Sequence, residues 1–153
     1  MESVHDRLAF ILIASAIGAL AVTLVANSAV MADGIEPGLW KITARSQSNG
    51  LIGPPHESSK CLTADETRDL AATFSPIPRT INSDCAPIER TLEGARLTWH
   101  LACKGQLNVD LTGAFNFDSP HHYSATVRTQ AAIGGQTLET LDTLEGQWVS
   151  ACQ

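Results

Sequence analysis

The residues whose types could do chemistry are few. His121-His122 closely follow Asp118. Imidazole titrates near neutrality and binds metals, so this group suggests acid–base or metal chemistry. Adjacent strand residues point to opposite faces, however, and two such rings cannot easily share one ion. The plainer reading is a polar turn entering a strand. His100 is expected on the solvent face of its strand, and His56 follows Pro54-Pro55 with no visible partner. Glu89 with Glu93, or Asp65 with Asp69, could be offered as a carboxylate pair for hydrolysis. Asp65 and Asp69 sit one helical turn apart with Arg68 beside them, which is the make-up of a solvated helix face. No G-x-S-x-G, glycine-rich phosphate loop or H-E-x-x-H occurs. Gly134-Gly135-Gln136 falls between two strands and reads as a hairpin turn. No catalytic residue, metal site or cofactor is assigned.

Cysteines and aromatic residues carry more information. Cys61, Cys85, Cys103 and Cys152 are too widely spaced for the close pairs of a structural zinc site. An even number behind an export signal reads as two disulfides in an oxidising compartment, which also leaves no thiol nucleophile. Three pairings are possible. The favoured one is Cys85–Cys103, tying neighbouring strands, with Cys61–Cys152, tying the C-terminus to the sheet. Loop-closure entropy puts these at roughly 3 and 4.5 kcal/mol. Trp40, Trp99 and Trp148 lie in separate expected strands and share an inward parity. They form either a core cluster with satisfied indole N–H groups or, with Phe115 and Phe117, the wall of an apolar ligand cavity.

The element that must position these residues is Arg96–Phe117. Leu97, Trp99, Leu101 and Cys103 alternate, and after Lys104-Gly105 so do Leu107, Val109, Leu111, Phe115 and Phe117. A period of two predicts an antiparallel strand pair with one apolar face. Arg96, Thr98, His100, Asn108, Asp110 and Asn116 face water. Further strands are expected at 39–46, 56–62, 85–92 (interrupted by Pro87), 122–132 and 136–144, with a last segment at 147–152. Residues 79–84 are a loop or weak edge strand. Leu138, Leu141 and Leu144 are three apart, which calls for a bulge or a helical turn. Thr63-Ala64-Asp65-Glu66 is a capping box opening the one helix expected, over Ala64–Ala72. The fold class is mainly β: an antiparallel meander curled into a barrel or half-barrel with one short helix, or alternatively a two-sheet β-sandwich.

Leu8–Ala26 is an almost unbroken apolar run, followed by Val30-Met31-Ala32. Residues 1–32 are expected to be a cleaved signal peptide, leaving 33–153 as a single disulfide-bonded domain. An uncleaved anchor is the rival, since about 18 apolar residues just span a bilayer. Removing 1–32, with Arg7, Glu2 and Asp6, from a chain of net charge −6 leaves 121 residues at −5. That suits one core and, lacking a basic stripe, excludes a nucleic-acid partner.

Four fragments carry a family resemblance: Pro37-Gly38-Leu39-Trp40, Cys61-Leu62-Thr63-x-x-Glu66, Cys85 with Trp99-x-x-x-Cys103, and Gly146-x-Trp148-x-x-x-Cys152. Their order resembles the small exported bacterial proteins known as the domain-of-unknown-function family numbered thirty-six seventeen, over most of residues 36–152. The resemblance implies an exported, disulfide-bonded, mostly β domain and brings no catalytic residues. The family's closing motif usually has a basic residue beside the glycine, where this chain has Gln147. If that position binds an anion, this member lacks the function.

These features lead to a non-enzymatic domain of the periplasm, or secreted, in a Gram-negative bacterium. It would bind a small apolar ligand inside or an envelope protein on its surface. The alternative is an inhibitor of a secreted or cell-wall enzyme, displaying the Ser48–Pro55 loop or the Asp118–His122 turn. A hydrolase built on His121 or His122 with Asp118 lacks a visible nucleophile.

Overall fold

The computed structural model describes residues 34–77, 83–105 and 107–153. The leader at 1–32 and most of the 79–84 segment lie outside the described residues. The chain runs β1 (Gly38–Ser48), β2 (Leu51–Ile52), β3 (His56–Leu62), α1 (Ala64–Arg68), α2 (Leu70–Thr73), β4 (Ser83–Cys85), β5 (Glu89–Glu93), β6 (Arg96–Gly105), β7 (Asn108–Ser119), β8 (His122–Ile133) and β9 (Gln136–Ser150). All strands join one antiparallel sheet in the order β2-β1-β9-β8-β7-β6-β4, with β3 also on β1 and β5 also on β6. Among the described residues its two edges do not pair, so the sheet is a half-barrel rather than a closed barrel or a sandwich.

Alternation places the core. In β6, Leu97, Trp99, Leu101 and Cys103 are buried, and Arg96 is exposed. Phe115 and Phe117 of β7, Tyr123 and Ala125 of β8, and Trp40 of β1 extend that apolar face. Hairpin chemistry fixes the register: Asn49-Gly50 and Gly134-Gly135 turn at φ 48°, 85°, 58° and 81°, the primed geometry that matches strand twist.

The expected single helix is two. Asp69 leaves the helical region (φ −119°, ψ 75°), and its carboxylate accepts from the Ala72 amide, so it ends α1 and caps α2. The Thr63–Glu66 capping box is present in both directions. The interrupted strand at 85–92 is likewise two short edge strands, β4 and β5, with Pro87 between them where a ladder donor would be missing.

The bulge or helical turn expected among Leu138, Leu141 and Leu144 does not occur. β9 pairs β8 from Gln136 to Gln147 without a register shift. Leu138 and Leu144 share one parity, and Leu141 faces the opposite side beside Arg128. The shift lies instead between Leu39 and Trp40, where Leu39 meets Ser150 and Trp40 meets Trp148.

Candidate functional site

The three tryptophans are held by the backbone. Trp40 Nε1 donates to the Glu36 carbonyl (3.0 Å), Trp99 Nε1 to Phe74 (2.9 Å) and Trp148 Nε1 to Pro37 (3.2 Å). Trp40 is fully buried, and Trp148 is half-buried against the His121 ring at 5.0 Å. Phe74, just past α2, drops its ring onto the sheet 5.3 Å from Phe115, 5.2 Å from Phe117 and 5.1 Å from Tyr123. Such centroid spacings are those of packed aromatic pairs. Phe115, Phe117 and Tyr123 therefore pack against a helical plug, and Trp99 is tied to it through the Phe74 carbonyl. Burial pushes the Tyr123 phenol up to about 12, so it stays neutral at ordinary pH.

The plug leaves open space at one end. A cavity of about 670 Å3 opens where four segments meet: the strand approach Gly34–Pro37, the α1–α2 segment, the turn between β5 and β6, and the end of β7. Its floor is Ile35, Leu70 and Phe117, and its walls include Leu92 and Ala95. Arg68 stands on its rim. The Glu36 amide donates to the Pro120 carbonyl at 2.9 Å, fixing the first segment to the β7–β8 turn. Phe117 is the one residue from the aromatic set that lines this space.

His122 and His100 lie away from it, in carboxylate clamps on the outer face, whereas His121 meets Glu36 on the cavity's lining. His122 Nδ1 meets Asp118 at 2.7 Å, and its Nε2 faces Glu145 at 3.5 Å. The Asp118 hydrogen bond, followed by Glu145, holds this imidazole above its ordinary value of 6.5 against the opposing effect of burial. His100 Nε2 meets Asp110 at 2.8 Å, with Glu89 3.9 Å from Nδ1, and Asp110 raises it likewise. His121 Nε2 meets Glu36 at 3.1 Å. His122 thus has both ring nitrogens facing carboxylates. The neighbouring histidines engage different partners, Glu36 for His121 in the turn and Asp118 for His122 at the start of β8. Among the described residues no group of three or more His, Cys, Asp or Glu could hold a metal ion. Asp65 pairs with Arg68, while Asp69 caps α2, so these two carboxylates do not converge.

Disulfides link Cys61 to Cys152 and Cys85 to Cys103, the favoured pairing. Gln147, at the family's basic position, donates from Nε2 to the His121 carbonyl at 3.1 Å and so ties β9 to the β7–β8 turn. No helix among the described residues is long and apolar enough to cross a membrane.

Sheet, plug and cavity together define the class: an open, disulfide-tied antiparallel sheet curled over two short helices, with an apolar recess at one end. The chain belongs to the protein family of unknown function DUF3617, whose family model matches residues 35–152. Nothing matches among the curated proteins or the solved structures.

The sequence had no signal for the cavity. Its apolar floor and walls include positions 35, 70, 92, 95 and 117, brought together from four separate segments. The one local cue is Leu92, the apolar residue of an otherwise polar strand, Glu89-Arg90-Thr91-Leu92-Glu93.

Proposed function

We propose that this is an exported, non-enzymatic domain that binds a small apolar ligand in the cavity between the plug and the base of the sheet. The observation that carries the reading is a half-open recess of about 670 Å3 with apolar floor and walls, within the size range of small-molecule sites. Export is supported by the apolar leader Leu8–Ala26 and by two disulfides, which persist in oxidising compartments. The non-enzymatic reading is supported by the occupied ring nitrogens of His122. Titration of the domain with a fluorescent apolar probe such as N-phenyl-1-naphthylamine tests it. Saturable binding that Leu92→Glu weakens is expected, and no binding by the wild type would refute it.

A second reading has its own observation. Leu51 and Ile52, at the tip of the hairpin after β1, are 80% and 72% exposed. Two adjacent apolar side chains on a protruding tip suit docking to an envelope protein, or to a secreted enzyme that the domain inhibits. Capture of one stoichiometric partner from envelope extract, abolished by Leu51→Ser with Ile52→Ser, is the expected result. Equal capture by the variant would sink this reading.

A further inference from the structure

We infer that the ligand of the basal cavity is a single-chain amphiphile with a carboxylate head, held by Arg68. This deepens the cavity reading above and rests on it.

The charges around the recess lead to that head group. Arg68 is the cationic side chain among the cavity's lining residues. Its Nε donates to the Ala64 carbonyl at 3.2 Å, which orients the guanidinium along the rim. Its Nη2 pairs with the Asp65 carboxylate, and its Nη1 has no partner among the described residues. The other charged lining residue, Glu36, is engaged by His121. Lys60, on β3, is engaged by Glu66 at 3.0 Å and does not line the recess. One guanidinium with donors to spare therefore borders an apolar recess.

Asp65 sets the chemistry of the head. Its side chain is 86% exposed, so it can swing into water when a ligand takes its place. The incoming group replaces a carboxylate with a carboxylate, and the flat guanidinium fork suits two parallel N–H···O bonds. The alkyl chain then runs from the rim between Leu92 and Ala95, over the Ile35–Leu70–Phe117 floor. A wholly apolar molecule would leave Arg68 unused, and a fully polar one would waste the walls.

The test uses the mature domain, laurate, and its uncharged counterpart 1-dodecanol, each below its aggregation limit, by isothermal titration calorimetry at neutral pH. The wild type is expected to bind laurate about tenfold more tightly than dodecanol, as a charge-assisted pair allows. Arg68→Gln should bind the two alike while keeping its dodecanol affinity. Asp65→Asn, which removes the competing carboxylate, should tighten laurate alone. Equal wild-type affinities, or laurate binding indifferent to both substitutions, would overturn the carboxylate inference and leave the apolar cavity standing. Binding of neither compound would overturn both.

Discussion

The indole of Trp99 lies across the bare backbone of Gly113, its cross-strand partner in β7. A Cβ on Gly113 would collide with Cε2, Cζ2 and Nε1 of that indole. Tyr123 covers its own partner, Gly146, in the same way, and the Trp148 ring occupies the space beside Gly38. An aromatic ring laid over a glycine fills the place of the missing side chain and lets the two backbones approach at the bend of a curled sheet. The half-barrel is built on these ring-over-glycine contacts, with Trp99 further anchored to the Phe74 carbonyl of the plug.

Gly113→Ala should therefore destabilise the domain by about 1–3 kcal/mol through overpacking alone. Gly146→Ala should behave alike. Urea unfolding followed by tryptophan emission reads both, and a Gly113→Ala variant as stable as the wild type would remove this explanation of the curl. Gly94, with nothing near its absent Cβ but a φ of 56°, is the contrast: alanine there meets only backbone strain.

The two disulfides should differ in weight. Cys61–Cys152 closes 91 residues and Cys85–Cys103 closes 18. Chain entropy gives about 4.5 and 3 kcal/mol respectively. Replacing each pair with serines and comparing unfolding free energies should rank them in that order, with the single-pair losses together comparable to the stability of a small domain. The reverse order would place the main constraint at the β4 edge instead.

Stability should rise toward mildly acidic pH. His122 and His100 are raised above 6.5 by Asp118 and Asp110. A group raised on folding contributes fully below its unfolded value and loses that contribution as pH climbs through its folded value. The melting temperature should therefore fall as pH goes from about 6 to 8, and His122→Gln should flatten that fall. Glu66 works at the other end. The Thr63 amide, then Lys60, hold it below its ordinary value of 4.5, so the capping box is present above that pH and is lost as pH drops through the folded value. A melting temperature independent of pH between 5 and 8 would show the histidine clamps to be without weight.

Much of the framework was legible in the chain. Period-two alternation in Arg96–Phe117 gave the faces of β6 and β7, because one side of that pair meets the core and the other meets water. Leu138, Leu141 and Leu144 misled, because a spacing of three looks like a change of register. β9 instead carries a half-buried Leu141 on its outer face, opposite Arg128, where a single apolar side chain costs little. Asp69 misled in the opposite sense, since one residue that prefers to cap split a nine-residue helix pattern. Trp40 and Trp99 are buried and Trp148 is half-buried, a difference in depth on which strand parity carries no information. Phe74 fills the space above the rings from a segment with no alternation of its own. The cavity was illegible because it is a junction of four distant segments rather than a motif.

The central claim, an apolar ligand held at the base of the sheet, is tested most directly by native mass spectrometry of the domain isolated gently from the cell envelope. The account expects a mass above that of the doubly oxidised chain, with the excess released by organic extraction as an alkyl carboxylate and reduced in Leu92→Glu. A bare chain mass from wild-type and variant alike, under conditions that keep a known protein–lipid complex intact, would contradict it.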